Sequence, residues 1–154
     1  MSGNHVKFGS DREPRPACDR SAPEPSLVGL RILVIEDNAL VQEAMECVLT
    51  AWGCRITLAD GALMASDRVQ RDHAPDIILS DYRLNDGYDG INAIHLVRKI
   101  AGSQIAACLI SADADENLAR QAEAAGVYLL RKPVPPVKLR RMLWSLSPLK
   151  GAGV

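Results

Sequence analysis

Short apolar runs alternate along the chain with longer segments in which apolar residues recur every three or four positions. The first run, RILVIE (31–36), is continuous and rich in β-branched residues, which is typical of a strand buried on both faces. Four further runs predict strands at 54–59, 76–81, 105–111 and 127–131. Together these runs predict a sheet in the interior of the protein.

The segments between these runs have the spacing of amphipathic helices. Asn38 can cap the first helix, whose apolar residues recur between positions 41 and 52, and Gly53 can end it. Further helices are predicted at 61–72, 90–101, 114–125 and after Pro136. Five strand–helix units with buried strands predict an α/β fold, in which helices cover both faces of a doubly wound, five-stranded parallel sheet.

The composition indicates the size and class of the protein. The chain has 154 residues and a formal net charge of −1, with 47% hydrophobic and 24% charged residues. This length suits one folded domain, and the near-neutral charge gives no electrostatic reason to expect nucleic-acid or membrane binding. No apolar run approaches the ~20 residues of a membrane-spanning helix. The four cysteines lack the spacing of zinc ligands, so we expect reduced thiols in a cytoplasmic protein.

The N-terminal segment differs in composition from the rest of the chain. It holds four of the nine prolines, few large apolar residues, and charges that cancel. A segment of this kind cannot bury enough apolar surface to offset the entropy lost on ordering. We therefore expect a flexible leader or linker over residues 1–28, the folded domain over residues 29–148 and a flexible tail over residues 149–154.

Polar residues capable of chemistry follow four of the predicted strands. Glu36 and Asp37 end the first strand, Asp81 ends the third, Ser111 ends the fourth, and Lys132 follows the fifth. The carboxyl ends of parallel strands meet at one edge of a sheet, where ligands bind in this class of fold. Three carboxylates at one edge repel one another unless a cation binds, and hard oxygen ligands suit Mg²⁺. A nucleophilic carboxylate, a divalent cation, a lysine and a hydroxyl together suit phosphoryl transfer to an aspartate.

Each of these residues also has an ordinary structural explanation. Asp37 and Ser111 could cap the helices that follow them, and Lys132 could be a solvated surface charge. Five such residues at the ends of four strands of one sheet are harder to explain in that way. The combination therefore favours a functional site.

Residues 30–147 resemble the receiver domain of two-component response regulators. LVIEDN is similar to the acidic pair after the family's first strand, DIILSDYRL to its phosphoacceptor strand, LISA to its Ser/Thr strand end, and LLRKPV to its Lys-Pro. The resemblance implies a flavodoxin-like strand order, 2-1-3-4-5, with Asp81 as the phosphoacceptor. It also implies a role in a His-to-Asp phosphorelay, in which phosphorylation changes an interaction surface, rather than enzyme activity on a separate substrate.

The same resemblance assigns the remaining site residues. The implied ligands of Mg²⁺ are Glu36, Asp37, Asp81 and the backbone carbonyl of Arg83. Ser111 and Lys132 are implied to contact the phosphoryl group. The Lys132–Pro133 peptide bond is implied to be cis.

Three positions depart from the family pattern. Asn85 stands where the family commonly has proline, and the loop that ends at Gly90 is one residue longer than usual. Leu129 occupies the position of the family's aromatic switch residue, and Tyr128, one place earlier, should face the other way. The segment DYRLNDGYDG is similar to receivers attached to hybrid sensor histidine kinases.

Three other interpretations share parts of this pattern. A nucleotide-binding domain would need a glycine-rich turn after the first strand, where this chain has Glu-Asp-Asn (36–38). An aspartyl-phosphate hydrolase of the haloacid-dehalogenase type would need a second aspartate two residues after the nucleophile, where this chain has Arg83. A degenerate receiver, acting only as a protein-interaction module, would lack Asp81 or Lys132. The hydrolase and the degenerate receiver remain the alternatives to a phosphoacceptor receiver.

The sequence also suggests partners. None of the three histidines lies in a phosphodonor motif, so we expect the donor to be a sensor histidine kinase, a histidine phosphotransfer protein or a small phosphodonor. Acidic residues predominate over 113–125 and basic residues over 131–150, which suits a self-complementary homodimer through residues 113–147. The acidic helix beside the basic one argues against direct nucleic-acid binding. The sequence leaves open whether the receiver stands alone or belongs to a longer hybrid kinase.

Overall fold

Five parallel strands and five helices alternate along the part of the chain that the structure describes, residues 24–151 of a computed structural model. The strands are β1 (Arg31–Ile35), β2 (Arg55–Ala59), β3 (Ile77–Asp81), β4 (Ala106–Ser111) and β5 (Tyr128–Arg131). Their order in the sheet is β2-β1-β3-β4-β5, and every neighbouring pair is parallel. The predicted fold class and strand order are confirmed.

The helices follow the strands as the periodicity predicts. They are α1 (Ala39–Ala51), α2 (Ala62–Arg71), α3 (Gly90–Ala101), α4 (Glu116–Ala124) and α5 (Pro136–Leu146). Asn38 caps α1, as predicted, by accepting hydrogen bonds from two amides of its first turn. The fourth helix begins two residues later than predicted, because the Asp115 side chain caps it at the Leu118 N–H, at 2.8 Å. No helix in residues 24–151 is long and apolar enough to cross a membrane.

The sheet lies between two layers of helices. Successive residues of β1 point to opposite faces: Leu33 and Ile35 pack with α2, α3 and α4, whereas Ile32 and Val34 pack with α1 and α5. All four side chains are at most 2% exposed, as predicted for a strand buried on both faces. Full burial of such a side chain contributes about 1.5–3 kcal/mol. The buried strands therefore hold the residues at their carboxyl ends in fixed positions.

The folded unit begins before the predicted boundary at residue 29. Leu27 is fully buried in the layer of α1 and α5, so it belongs to the core rather than to a leader. The N–H of Gly29 donates to the carbonyl of Gly53, at 2.9 Å, and ties this segment to the end of α1. At the other end, a short 3₁₀ helix, Pro148–Gly151, lies where the tail is predicted to start. Residues 1–23 and 152–154 of the predicted leader and tail lie outside the described residues.

Candidate functional site

The turn after β1 is held in place from several sides. Glu36 is 6% exposed, and one of its carboxylate oxygens accepts a hydrogen bond from the Asn38 N–H, at 3.1 Å. The side-chain amide of Gln42, on α1, donates to the carbonyl of Glu36, at 2.5 Å, and to the carbonyl of Ala59 on β2, at 3.2 Å. These bonds fix the backbone that carries Glu36 and Asp37.

Asp81 ends β3, between the strands that carry the other site residues. Its side chain is 13% exposed, and the Lys132 Nζ atom lies 3.2 Å from Asp81 Oδ1. Lys132 directly follows β5, so the pair joins residues that are 51 positions apart in the sequence. The peptide bond between Lys132 and Pro133 is cis, in agreement with the expectation from the sequence.

Three carboxylates converge at this edge of the sheet. Carboxylate oxygens of Glu36, Asp37 and Asp81 all lie within 4.8 Å of one another. Burial raises the pKa of Glu36 above its ordinary value and the charge of Asp81 raises it further, whereas the Asn38 N–H and the Lys132 ammonium lower it. Three hard oxygen donors around one point are the ligand type that Mg²⁺ prefers. The residues present therefore fit a divalent cation.

Ser111 ends β4 beside Asp81 and is 2% exposed. Its hydroxyl oxygen accepts a hydrogen bond from the Asp113 N–H, at 3.1 Å, and its carbonyl accepts one from the Lys132 N–H, at 2.9 Å. A hydroxyl has one donor and two acceptor positions. Its O–H donates to no other group within residues 24–151 and is free to bind a ligand.

Arg83 joins the loop after β3 to the loop after β4. Its guanidinium pairs with the Asp113 carboxylate, and its backbone forms an isolated bridge with Asp89. The structure thus brings together Asp81, Lys132 and the acidic pair, with Ser111 on the adjacent strand end. The role of the Arg83 carbonyl as a metal ligand remains a prediction.

Several residues that support the site are not evident from the sequence. Gln42 and Asp113 act through backbone and loop contacts that join distant parts of the chain. Gly90 starts α3 so close to β3 that a side-chain carbon there would overlap the carbonyl of Asp81 and the side chain of Leu109. An Asp-Gly pair before a helix signals a cap, but it does not reveal this close approach.

The structure shows where two departures from the receiver pattern lie, namely Leu129 with its neighbour Tyr128, and the loop after β3. Leu129 packs against the core on the α2, α3 and α4 side, whereas Tyr128 is 53% exposed, so the two face opposite ways as predicted. In the long loop after β3, the Asp86 carboxylate accepts from the Leu63 N–H, at 3.3 Å, and so caps α2. This loop therefore reaches a neighbouring helix.

Comparisons with known proteins agree with this geometry. A family model described as the response regulator receiver domain matches residues 32–143. The sensor protein TorS of Escherichia coli K12 is 31% identical over 133 residues, which cover 80% of this chain and 14% of TorS. The chain therefore spans about one seventh of the length of that curated relative.

Solved structures show the same likeness. The receiver domain of the sensor histidine kinase PA1611 from Pseudomonas aeruginosa PAO1, described with a magnesium ion coordinated in its active-site cleft, is 30% identical with a TM-score of 0.67, over 77% of this chain and 98% of that one. The chemotaxis protein CheY4 of Vibrio cholerae is 18% identical with a TM-score of 0.69, over 77% and 99% of the two chains, and shows the shared fold. From its strand order, its strand-end residues and these matches, the chain belongs to the response regulator receiver domain family of two-component signalling.

Proposed function

We propose that Asp81 accepts a phosphoryl group in a two-component phosphorelay, with Mg²⁺ bound by Glu36, Asp37 and Asp81. The observation that carries the proposal is the convergence of three carboxylates beside Lys132, with its Nζ 3.2 Å from Asp81 Oδ1. The magnesium ion described in the PA1611 receiver supports the choice of metal. The backbone carbonyl of Arg83 is proposed as a further ligand.

The transfer can be written from the residues of this chain. A carboxylate oxygen of Asp81 attacks the phosphorus of the donor, the new O–P bond forms, and the bond from phosphorus to the donor's leaving atom breaks. A bound Mg²⁺ supplies positive charge for the carboxylates and the phosphoryl oxygens. Lys132, whose Nζ now lies 3.2 Å from Asp81 Oδ1, would move to a phosphoryl oxygen. The free O–H of Ser111 can donate to another phosphoryl oxygen without losing its bond from Asp113.

The contacts of Ser111 suggest how the change would spread. A phosphoryl group adds about −1.5 to −2 charge and offers Ser111 and Lys132 a new partner. Because Ser111 accepts from Asp113, and Asp113 pairs with Arg83, movement of Ser111 would shift the loop that leads to α4. We propose that this loop and α4 form the surface that changes on phosphorylation. Chemical shifts at residues 111–115 should therefore change on phosphorylation in an NMR titration; changes confined to the surroundings of Asp81 would contradict this route.

The proposed phosphodonor is a sensor histidine kinase or a histidine phosphotransfer protein. The likeness to TorS, a sensor protein, supports this choice. Leu40, three residues after Asp37 on α1, is 77% exposed and offers an apolar contact to such a partner. Cys54 and Cys108 are buried free thiols, which suits a reducing compartment, and we propose that the protein acts in the cytoplasm.

A homodimer through residues 113–147 is proposed as a further interaction. β5 lies at one edge of the sheet, and α4 and α5 lie on its two sides. α4 exposes Glu123, whereas α5 exposes Lys138 and Arg141, so a two-fold axis would place opposite charges together. Arg140, also on α5, is not counted among these exposed charges, because its guanidinium already pairs with the Glu24 carboxylate.

Beryllofluoride, which imitates a phosphoryl group on aspartate, tests the proposed site. We expect it to raise the melting temperature of the protein only when Mg²⁺ is also present, because both must bind at Asp81. Asp81→Asn should lose this response and keep its fold by circular dichroism. An equal response in Asp81→Asn would contradict the assignment, and no response in the natural sequence would favour the degenerate receiver.

A further inference from the structure

A small groove at the end of the sheet opposite Asp81 is lined by three arginines. It has a volume of about 190 Å³ and lies between the first residues of β1 and β2 and the C-terminal part of α2. Arg31, Arg55 and Arg68 line it, together with Asp72 and His73. We call it the basic groove. It lies apart from the phosphoacceptor site, because the first residues of parallel strands and their carboxyl ends lie at opposite ends of the sheet.

Two of the three arginines occupy facing positions on neighbouring strands. Arg31 on β1 is the register partner of Arg55 on β2, so both side chains leave the sheet on the same face. Leu33, two residues after Arg31, packs in the layer of α2, α3 and α4, which places both arginines on the side of the sheet that carries Arg68. Like charges at facing positions of a sheet repel each other and destabilise it. The fold therefore gathers three positive charges that repel one another.

The described part of the chain does not neutralise these charges. Within residues 24–151, none of the three arginines forms an ion pair, whereas Arg71 on the same helix α2 pairs with Asp67, at 3.3 Å. The Asp76 carboxylate, at the start of β3, accepts a hydrogen bond from the backbone N–H of Arg31, at 2.9 Å, rather than pairing with its guanidinium. Among the described residues that line the groove, Asp72 is the single acidic one. The basic groove thus has an excess of positive charge.

We propose that the basic groove binds a compact anion that carries one or two phosphoryl groups. A guanidinium can donate two parallel hydrogen bonds to phosphate oxygens, and all three positive positions are arginine rather than lysine. The groove has the volume of about six water molecules, which suits an anion of this size. Leu33, Val69 and Pro75 give it an apolar lining, and ion pairs that are partly shielded from water are stronger than those in bulk solvent.

The same anion has little reason to bind at Asp81 in the absence of a metal ion. The carboxylates of Glu36, Asp37 and Asp81 lie within 4.8 Å of one another there, and they repel an anion unless a cation is bound. Measurements in EDTA therefore direct the anion to the basic groove. Because the two sites lie at opposite ends of the sheet, this proposal does not depend on the proposed phosphoacceptor function.

Isothermal titration calorimetry of the full chain with sodium diphosphate, in EDTA and at low ionic strength, tests the proposal. We expect saturable one-to-one binding that weakens as sodium chloride is added. Arg31→Gln and Arg55→Gln should each weaken the binding at least about tenfold, because each removes charged hydrogen bonds. Both side chains are exposed, and circular dichroism should show that the variants stay folded. Arg120→Gln is the matched control, since it removes the same charge from α4, and it should bind like the natural sequence.

The absence of saturable binding, or equal affinity in Arg31→Gln, Arg55→Gln and the natural sequence, would overturn the proposal. Loss of binding in Lys132→Gln would place the anion beside Asp81 and would also overturn it. Adenosine diphosphate should bind no more tightly than diphosphate, because the groove has no room for the base; tenfold tighter binding would show that the ligand is not compact. In an NMR titration with diphosphate, amide shifts should change at residues 55–57 and 68–73, and changes confined to the surroundings of Asp81 would contradict the site.

Discussion

At the scale of single residues, the ionised side chain of Glu36 destabilises the folded protein, and a bound cation would remove this destabilisation. Its side chain is buried, and its carboxylate lies beside those of Asp37 and Asp81. Burial, followed by the charge of Asp81, raises the pKa of Glu36 above 4.5. Above that pH the ionised carboxylate costs folding free energy in the metal-free protein. Lys132 offsets only part of this cost.

Glu36→Gln should therefore stabilise the metal-free protein. Glutamine removes the buried charge and keeps the oxygen that accepts from the Asn38 N–H. We expect a higher melting temperature than the natural sequence in EDTA at neutral pH, and no further rise with Mg²⁺. The gain should shrink as the pH falls from the raised pKa of Glu36 towards 4.5, and it should be lost below 4.5, where the glutamate becomes protonated in both states.

Glu43→Gln is the matched control for this substitution, because Glu43 is exposed on α1. It should change neither the melting temperature in EDTA nor the rise with Mg²⁺. A Glu36→Gln protein that is less stable than the natural sequence in EDTA would show that the carboxylate is not under electrostatic strain.

The site residues that could be predicted from the sequence differ in role from those that could not. Asp81 and Lys132 could be predicted because buried strands bring their carboxyl ends to one edge, and their side chains indeed lie 3.2 Å apart. Gln42 could not, because it acts on the carbonyls of Glu36 and Ala59 through a helix orientation that periodicity does not specify. The sequence thus predicts groups that perform chemistry better than groups that hold them.

At the scale of elements, the start of α3 sets how closely that helix approaches the phosphoacceptor strand. The N–H of Gly90 donates to the carbonyl of Tyr82, at 2.7 Å, and a side-chain carbon on Gly90 would overlap the carbonyl of Asp81. Gly90→Ala must push α3 or β3 away, which typically costs about 1–3 kcal/mol. Because the shift is at Asp81, we also expect a weaker response to beryllofluoride.

Gly102→Ala is the comparison for this change. Gly102 ends α3 with a φ of +67°, and an added side-chain carbon there meets nothing within 4 Å. We expect denaturant unfolding to show a loss of stability from the backbone conformation alone, with the beryllofluoride response unchanged. If both variants lose that response equally, close packing at Gly90 is not important for the site.

Arg98 links three elements at the opposite end of the sheet. It is 8% exposed, and its guanidinium donates to the carbonyls of Ile105, Ala125 and Gly126, at 2.9, 2.7 and 3.0 Å. It thus ties α3 to the start of β4 and to the end of α4. Burial lowers the pKa of Arg98, because the charged guanidinium loses contact with solvent.

Arg98→Met should destabilise the protein strongly. Methionine keeps part of the apolar stem but leaves the buried carbonyl of Ile105 and the part-buried carbonyls of Ala125 and Gly126 without their donor. A buried polar group without a partner costs about 1–3 kcal/mol. Urea unfolding should show the loss, while Lys99→Met, an exposed neighbour on the same helix, should show little. A cost as small as that of Lys99→Met would mean that water replaces the guanidinium.

The periodicity of apolar residues predicts where most helices and strands begin and end. Where the structure differs, a single local contact explains the difference. Helices α1 and α3 begin and end within a residue or two of their predicted bounds, because apolar spacing and capping residues agree there. The first described segment differs, since one buried side chain, Leu27, anchors residues whose composition predicts a leader. Composition averages over a segment and cannot identify a single anchoring residue.

At the scale of the whole molecule, the proposed homodimer depends on the charges of α4 and α5. Light scattering should show a larger mass with Mg²⁺ and beryllofluoride than without, because the loop leading to α4 is the part expected to shift. Glu123→Lys should weaken the dimer, since it reverses an exposed charge on α4. Glu43→Lys, on α1, should not. A monomer in both states at high protein concentration would reject the dimer.

The proposed function depends on the chemistry of Asp81, and phosphoryl incorporation tests that chemistry most directly. The protein is incubated with acetyl phosphate and Mg²⁺, and the intact mass and the modified residue are determined by mass spectrometry. We expect one added phosphoryl group, located on Asp81, which is lost with hydroxylamine, prevented by EDTA and absent from Asp81→Asn. No incorporation in the natural sequence, or undiminished incorporation in Asp81→Asn, would contradict the proposed function.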